Sequence, residues 1–254
     1  MSIMQLESLM TKQAEREYLA KLGDAGAQHS LGKPFSNEDC GLTLSSIGTV
    51  MALMPPAPAN ILDLGCGGGW TSIFFAKRGY DVTGQDIAAD MIDLAQRNSE
   101  INAIQHKAQF VMGDYETLDF TESFDCAVFF DSLHHADDPQ LAISCAYRAL
   151  KSGGTLITHE PGEGHSTAPW SIQAMEEFGV NERDMPPHLI ADCARTAGFR
   201  QLRVFPMQHD IHEVFYGAPP PRLFSRKGLR LARRVLSMLF TPNMRRSSIM
   251  VMMK

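Results

Sequence analysis

Hydrophobic positions along the chain follow two alternating patterns from residue 60 onward. Short runs rich in β-branched and aromatic residues alternate with segments in which apolar residues recur every three or four positions. These patterns are typical of strands and of amphipathic helices, respectively. The predicted strands cover residues 60–64, 81–85, 108–112, 124–130, 155–159, 199–205 and 248–254. The predicted helices between them cover residues 71–78, 89–98, 139–150 and 187–197.

This alternation predicts βαβ units, and therefore an α/β fold with a largely parallel sheet and helices on both faces. Two further helical segments, residues 3–22 and 38–54, precede the first strand and have no strand of their own. We therefore expect an N-terminal helical cap or lid over residues 1–56 and a main domain over residues 57–254. A helical insertion at about 207–246 precedes the last strand.

Composition excludes several classes of protein. With 254 residues, 44% of them hydrophobic, the chain is long and apolar enough to bury a full core. No apolar run approaches the roughly 18 residues needed to span a bilayer, and the N-terminus mixes acids and bases where a signal peptide would be apolar. We therefore expect a cytoplasmic location. The five cysteines lie far apart without a C-x-x-C pair, which predicts neither a disulfide framework nor a zinc site.

Charge is distributed unevenly along the chain. The net charge is -6, yet nine basic residues and no acid follow Glu213. Within this tail, residues 222–240 place arginines on one stripe of a helix, with apolar side chains largely opposite. Such a helix suits peripheral contact with an anionic membrane or a phosphate-bearing acceptor, or it docks on the sheet and leaves its arginines in water. Nucleic acid is not expected, because the body is acidic and no aromatic residues are interleaved with the bases.

A glycine-rich turn follows the first predicted strand in the sequence ILDLGCGGGW, residues 61–70. A dinucleotide-binding turn needs G-x-G-x-x-G, but counting from Gly65 the third position is Trp70. The spacing here is D-x-G-x-G-x-G, with Asp63 at the end of the strand. A carboxylate there would repel a pyrophosphate. It suits a ligand that carries positive charge, such as S-adenosylmethionine with its ammonium and sulfonium groups.

Acidic residues also follow the next two predicted strands. Asp86 lies 21 residues after Gly65, where a carboxylate accepts hydrogen bonds from both ribose hydroxyls. Nicotinamide enzymes use such an acid too, so Asp86 alone does not choose between cofactors. Asp114 is placed to accept the exocyclic amine of an adenine, and Tyr115 is placed to pack beside the ring.

Four segments, which occur in the same order as in that family, resemble the class I S-adenosylmethionine-dependent methyltransferases: ILDLGCGGGW, VTGQDIAADMIDLAQ, FVMGDYETL and FDCAVFFDSLHHADDPQLAISCAYRALKSGGTLITHEP. The resemblance covers residues 60–205. It implies a Rossmann-like sheet of seven strands, mostly parallel, whose last strand runs antiparallel to the others. It also implies an enzyme that uses S-adenosylmethionine and releases S-adenosylhomocysteine.

By the same resemblance, one set of residues is expected to surround the cofactor. The glycine turn and Asp63 would face its methionine part, Asp86 its ribose, and Asp114 with Tyr115 its adenine. The full expected set is Asp63, Gly65, Gly67, Gly69, Trp70, Asp86, Ile87, Asp114, Tyr115 and Asp131.

Candidate catalytic residues follow the fourth and fifth predicted strands, since ligands of an open α/β sheet bind outside the carboxyl ends of the strands. Methyl transfer is an in-line displacement that needs alignment and, for a hydroxyl acceptor, removal of a proton. His134 or His135 is the expected base, and Glu160 is the alternative or an orienting partner. As an alternative to catalysis, one of the two histidines only shapes the pocket. Asp131 and Asp138 lie near them in sequence, but the spacing is not diagnostic of metal ligands, and no metal is predicted.

The acceptor is expected to be a small molecule. A likeness to methyltransferases of bacterial cell-surface polysaccharide synthesis is carried by GKPFSNEDCG and by the basic helix. It favours a hydroxyl oxygen of a sugar or glycan intermediate. The alternatives are C- or N-methylation of a quinone or other metabolite, and a protein that holds S-adenosylmethionine without transferring from it. No oligomeric state follows from the sequence.

Overall fold

The computed structural model describes residues 3–217, 221–222, 224–240 and 243–254. Its strands form one seven-stranded sheet in the order β3-β2-β1-β4-β5-β7-β6. The strands are β1 Asn60–Leu64, β2 Asp81–Asp86, β3 Ala108–Met112, β4 Phe124–Phe130, β5 Leu150–Glu160, β6 Arg200–Pro206 and β7 Ser248–Met253. Strand β7 runs antiparallel to both of its neighbours, and the other described pairings are parallel. The predicted Rossmann-like sheet with an antiparallel last strand is therefore confirmed.

Nine α-helices and one short 3-10 helix surround the sheet in the described part of the chain. They are α1 Ile3–Gly32, α2 Cys40–Leu53, α3 Trp70–Arg78, α4 Ala89–Ile101, the 3-10 helix Leu133–His135, α5 Pro139–Ala149, α6 Pro169–Phe178, α7 Pro187–Ala197, α8 Gln208–Phe215 and α9 Arg226–Phe240.

Two apolar layers cover the two faces of the sheet. Leu62 and Phe129 belong to one buried cluster, which also takes in side chains of α5 and α7. Ile61 and Val128 belong to the other, together with side chains of α2 and α3. Neighbouring residues of one strand thus enter opposite layers, because side chains alternate across a sheet. This two-layer core is what the near-continuous apolar runs of the parallel strands require.

Two element boundaries differ from the sequence prediction by five residues or more. Helix α1 continues to Gly32 instead of ending at residue 22, and it bends at Gly23, whose φ of 63° and ψ of -155° are not helical. The glycine-rich stretch after that bend is therefore helical and not a simple connection. Strand β5 begins at Leu150 rather than residue 155, because Leu150 is already extended and pairs with Phe124 of β4.

The order of the strands determines where a ligand can bind. The chain starts at β1, moves outward through β2 and β3, and then crosses to β4 on the other side of β1. The connections that leave β1 and β4 therefore run in opposite directions, and a crevice forms between them at the carboxyl ends of the strands. The glycine turn follows β1, and His134 and His135 follow β4, so both reach this crevice.

Candidate cofactor and acceptor site

A cleft lies at the carboxyl ends of β1 to β4, and helix α1 forms its opposite wall. The residues that line it from the strand ends include Gly65, Gly67, Asp86, Ile87, Asp114, Tyr115, Glu116, Asp131, Ser132 and His135. Helix α1 contributes Lys12, Glu15 and Tyr18, and Lys33 follows directly after the helix. The structure therefore brings together seven of the ten predicted cofactor residues and one of the three predicted catalytic residues.

At Gly65, the glycine turn approaches the segment after β4 too closely for a side chain. At Gly65, with φ of 69°, a β-carbon would lie 2.6 Å from Cβ of Ser132. At Gly67, with φ of 50°, a β-carbon would meet only Sδ of Met91, 4.0 Å away. Gly65 is thus required by packing and Gly67 by its left-handed backbone, and the space beside Gly67 stays open.

The carboxylate of Asp86 holds this turn through a hydrogen bond to its backbone. Its Oδ2 accepts a hydrogen bond from the backbone N–H of Gly67 at 2.8 Å, and its Oδ1 accepts one from Ala88 at 3.0 Å. Burial raises the pKa of Asp86, and these two N–H donors oppose that rise. Because each carboxylate oxygen offers about two acceptor positions, Asp86 can still accept two hydroxyl donors.

Asp114 and Tyr115 lie on the cleft wall after β3. Oδ1 of Asp114 accepts from the backbone N–H of Glu116 at 2.9 Å, and its Oδ2 is paired with the ammonium group of Lys12. The same ammonium lies 2.9 Å from Oε2 of Glu116. Burial lowers the pKa of Lys12, but the two carboxylates outweigh that effect and raise it. The ring of Tyr115 packs edge-on against Phe129, and its hydroxyl donates to the backbone oxygen of Ser132 at 3.1 Å.

Three predicted cofactor residues lie away from the cleft. Asp63 is 1% exposed, and its Oδ2 accepts hydrogen bonds from the hydroxyls of Thr71 and Ser72, each at 2.6 Å. It therefore holds the start of α3 instead of facing a ligand, and burial raises its pKa to about 6. Gly69 is the N-cap of α3, where a β-carbon would meet Ala95 and Phe110. Trp70 packs edge-on against two phenylalanine rings, Phe74 and Phe130.

Asp131 lines the cleft at the end of β4 and faces a buried histidine of β5. Its Oδ1 lies 2.9 Å from Nδ1 of His159. Burial lowers the pKa of His159, but the Asp131 carboxylate outweighs burial and raises it. In turn, burial raises the pKa of Asp131, and the imidazolium overcomes this and lowers it. The pair therefore places an ionised carboxylate at the cleft wall, where a cationic ligand gains from it.

Glu160, the predicted alternative base, is instead a structural anchor. It is fully buried, and its Oε1 accepts the backbone N–H groups of Ser132 at 3.0 Å and Leu133 at 2.7 Å. Its Oε2 accepts from Nδ1 of His134 at 2.8 Å and from the backbone N–H of His134 at 3.3 Å. All its acceptor positions are thus used to hold the 3-10 helix after β4, so it has none left for an acceptor proton.

His134 lies behind the cleft wall, whereas His135 is part of it. His134 is buried, with Nδ1 bound to Glu160 and Nε2 3.8 Å from Oε2 of Glu182. His135 lines the cleft, and its Nδ1 lies 3.3 Å from Oε1 of Glu15 on helix α1. Burial lowers the pKa of His135, but Glu15 and the more distant carboxylates outweigh burial and raise it to about 9. Of the predicted bases, His135 is the one placed to meet an acceptor.

Helix α9 carries most of the basic stripe predicted for residues 222–240, but it begins at Arg226, so Arg222 precedes the helix. Residue 223 lies outside the described part. Arg234 pairs with Asp210 and Glu213 of α8, and Arg246 reaches Asp210 at 2.9 Å. Leu229 and Leu236 are exposed, so the apolar side of the helix is only partly covered. Among the described residues, no helix is long and apolar enough to cross a membrane.

Solved structures share this fold. The [4+2]-cyclase SpnF superposes with a TM-score of 0.60 at 19% sequence identity, over 85% of this chain and 82% of that one. Geranyl diphosphate C-methyltransferase from Streptomyces coelicolor A3(2) gives a TM-score of 0.60 at 13% identity, over 84% and 80% of the two chains. At such identities the likeness shows the fold alone.

A sequence comparison identifies the domain. A family model described as a methyltransferase domain matches residues 62–158, which contain the glycine turn, Asp86, Asp114 and both histidines. The chain therefore contains a methyltransferase domain, in agreement with its resemblance to the class I S-adenosylmethionine-dependent methyltransferases. S-adenosylmethionine is the cofactor that this resemblance implies.

Two curated relatives extend the comparison. The ubiquinone biosynthesis O-methyltransferase of Hydrogenovibrio crunogenus is 34% identical over 147 residues, which are 55% of this chain and 61% of that protein. The protein of the same name from Xanthomonas axonopodis pv. citri is 33% identical over 108 residues, 42% of this chain and 45% of that one. The chain spans about half the length of these curated relatives.

The residues of the cleft fit S-adenosylmethionine. A sulfonium and an ammonium group suit a wall that contains the carboxylates of Asp86 and Asp131, and the open side of Gly67 admits a ligand against the backbone. One amine, Lys33, lines the same wall; burial lowers its pKa, and Asp131 opposes that effect. An ammonium group at this position suits the single carboxylate that S-adenosylmethionine carries.

Sequence reasoning missed the contribution of helix α1 to this cleft. Lys12 and Glu15 lie where no motif marks them, and Lys33 belongs to GKPFSNEDCG, a segment that suggested a sugar acceptor and no contact with the cofactor. The three residues reach Asp114, His135 and Asp131 only through the tertiary fold. The one available signal was the presence of two helices without a strand, which predicted a cap. The division into a cap over residues 1–56 and a main domain stays a prediction.

Proposed function

We propose that the protein transfers the methyl group of S-adenosylmethionine to a hydroxyl oxygen of a small aromatic acceptor of the quinone-precursor type. The observation that carries the acceptor class is the 34% identity, over 147 residues, to an enzyme named as an O-methyltransferase of ubiquinone biosynthesis. The expectation of a sugar or glycan acceptor has no comparable support. The quinone alternative is therefore preferred, with oxygen rather than carbon or nitrogen as the nucleophile.

The cofactor is proposed to lie along the strand ends in one orientation. Asp86 accepts the two ribose hydroxyls with the acceptor positions left beside its bonds to Gly67 and Ala88. Asp114 receives the adenine amine, with Tyr115 beside the ring. The methionine part then follows the glycine turn, where Lys33 pairs with its carboxylate and Asp131 lies near its positive charges.

His135 is proposed as the base that removes the acceptor proton. It is the predicted base that lines the cofactor cleft, and it faces Glu15. Its pKa of about 9 means that most of it is protonated at pH 7 in the ligand-free protein. A sulfonium placed beside it lowers that pKa, because a like charge disfavours the protonated form. His135 thus loses its proton and can act as a base when the methyl donor is bound. Glu15 then stabilises the imidazolium that forms on proton transfer.

Charge and atoms balance in this step. The acceptor O–H gives its proton to the imidazole of His135, and the oxygen attacks the methyl carbon in line with the departing thioether sulfur. The C–S bond breaks as the O–C bond forms, so the products are a neutral ether, S-adenosylhomocysteine and one imidazolium. Alignment supplies most of the rate enhancement in such a displacement.

An acceptor screen tests this proposal. Purified protein is incubated with S-adenosylmethionine that carries a labelled methyl group and with ortho-dihydroxybenzoates, sugars or no acceptor, and products are located by mass spectrometry. We expect label on a phenolic oxygen and loss of turnover, with S-adenosylhomocysteine affinity retained, on His135→Ala. Label on a sugar would contradict the acceptor class. Cofactor binding without any transfer would favour a protein that only holds the cofactor.

Peripheral membrane contact through residues 222–240 stays a prediction, as does the cytoplasmic location. The membrane contact is supported by the exposure of Leu229 and Leu236, which lie on the same helix as exposed arginines such as Arg226. Such a helix lies in the membrane interface when its apolar side is free to bury.

A further inference from the structure

A second cavity, separate from the cofactor cleft, lies between helix α9 and the edge of the sheet formed by β6 and β7. Its volume is about 450 Å³. One side is apolar, with Val204, Phe205, Pro206 and Met238 in its wall. The other side is basic, with Arg230, Arg233, Arg234 and Arg246. A cavity with this division suits a ligand that has an anionic group and an apolar part.

The arginines are only partly neutralised by the protein. Arg234 pairs with Asp210 and Glu213, and Arg246 pairs with the same Asp210, which is 3% exposed. For Arg230 and Arg233, no carboxylate lies within ion-pair distance in the described part of the chain. Two guanidinium groups at the cavity wall are therefore in excess over the carboxylates, and guanidinium groups match phosphate in shape and charge.

Uncommitted hydroxyl groups border the same cavity. Ser248 is 2% exposed and its Oγ is buried without a hydrogen-bond partner among the described residues. Ser247 accepts a hydrogen bond from the backbone N–H of Gly162 at 3.0 Å, which leaves its own O–H free to donate. A buried hydroxyl without a partner is costly unless a ligand or water satisfies it, so Ser248 points independently to an occupant with acceptor oxygens.

The cavity lies near the part of the cofactor cleft that contains the proposed base. Ser248 is the first residue of β7 and pairs with Glu160, the last residue of β5. Glu160 in turn anchors His134 and the 3-10 helix that carries His135. The cavity therefore lies at the same edge of the sheet as the cleft, beyond the strand that supports the proposed base.

We infer that this cavity binds a phosphate or diphosphate ester through Arg230, Arg233 and the serine hydroxyls, with the apolar part of the ligand against Phe205 and Met238. The inference goes beyond the proposed function and does not depend on it, because the binding site itself does not require methyl transfer. Free phosphate esters and lipid headgroups share this chemistry, and the experiment separates them.

Inorganic pyrophosphate titrated into the protein of 254 residues by calorimetry, at about 0.15 M salt, tests the site. We expect saturable binding that weakens roughly tenfold or more in the double variant Arg230→Gln and Arg233→Gln, since charged hydrogen bonds are lost. The matched control is Arg226→Gln with Lys227→Gln, which removes the same charge from the same helix outside the cavity, and there the affinity should stay unchanged. Ser248→Ala should weaken binding without altering net charge.

Three results would overturn the inference. The first is absence of pyrophosphate binding to the wild type, and the second is equal weakening in both double variants, which would show general charge attraction. The third is binding to phosphatidylglycerol vesicles, but not to pyrophosphate, that both double variants weaken equally; the basic side would then be a membrane surface. Affinity for S-adenosylhomocysteine reports folding in every variant. Pyrophosphate binding without any methyl transfer would contradict the proposed function and leave this site standing.

Discussion

Nδ1 of His135 lies 3.3 Å from Oε1 of Glu15, although the histidine follows β4 and the glutamate belongs to the first helix. This contact closes helix α1 over the cofactor cleft and raises the pKa of the proposed base. Glu15 also accepts the backbone N–H of Asn181 at 2.9 Å, so its position is fixed from a second side. We therefore expect helix α1 to influence the proposed base as well as to cover the cleft.

Replacing Glu15 by Gln should shift the pH dependence of methyl transfer. The imidazole must be unprotonated to act as a base, so activity rises as pH passes upward through its pKa. Loss of the Glu15 charge lowers that pKa from about 9, and the rising limb should move to lower pH, with a larger active fraction at pH 7. The measurement is kcat against pH. Glu17→Gln, which removes an exposed carboxylate from the same helix, is the control and should leave the profile in place.

Replacing Asp63 by Asn should stabilise the protein at high pH. The pKa of Asp63, about 6, lies above the ordinary 3.8, so the folded state holds the proton more tightly and loses stability as pH rises from about 4 to 6. Above that window a neutral amide at this position avoids the cost of a buried charge, which is about 2–3 kcal/mol for a pKa raised this far. Urea unfolding at pH 8 and pH 5 measures the gain, which should shrink at pH 5. The exposed Asp119→Asn is the control; an equal gain at both pH values for the Asp63 variant would contradict this account.

Replacing Gly65 by Ala should disrupt the cleft. The new β-carbon would lie 2.6 Å from Cβ of Ser132, and the residue would keep a φ of 69° that side chains disfavour. We expect a loss of stability on the order of 1–3 kcal/mol and much weaker binding of S-adenosylhomocysteine. Gly48→Ala, in helix α2 with open space around the β-carbon, should be neutral or slightly stabilising. Equal affinity for the ligand in both variants would show that the turn does not border the cofactor.

Replacing Lys33 by Met should weaken the binding of the cofactor only because the cofactor's carboxylate loses its partner. The amine is proposed to pair with that group, so affinity for S-adenosylhomocysteine should fall roughly tenfold, whereas 5′-methylthioadenosine, which lacks the carboxylate, should bind as before. Fluorescence or calorimetric titration with both ligands measures the difference. A parallel loss for both ligands would mean that the substitution acts on the fold of the cleft.

The sheet was predictable because its signals are local. Strand β4 is recognisable from a continuous apolar run, and the bounds 124–130 agree with the structure. The turn at Gly65, together with Asp86 and Asp114, was found because the motif fixes their positions on consecutive strand ends. Element ends were less predictable, since the pairing of Leu150 with Phe124 depends on a neighbouring strand.

The parts of the site that were missed depend on tertiary contacts. Asp63 and Trp70 occupy motif positions, but the hydroxyls of Thr71 and Ser72 bind Asp63 away from the cleft, and aromatic packing holds Trp70. No pattern in the sequence distinguishes Glu160, which is fully used as an anchor, from a carboxylate that faces a substrate. The basic cavity needs α9, β6 and β7 together, and a charge count revealed only its arginines.

The central claim is that the cleft between the strand ends and helix α1 holds S-adenosylmethionine through Asp86. Isothermal titration of the protein with S-adenosylhomocysteine and, separately, with NAD tests it most directly, with Asp86→Ala as the variant. We predict binding of S-adenosylhomocysteine alone, and a marked loss of affinity in Asp86→Ala while the protein remains folded. Binding of NAD in its place, or S-adenosylhomocysteine affinity that is indifferent to the substitution, would contradict the account.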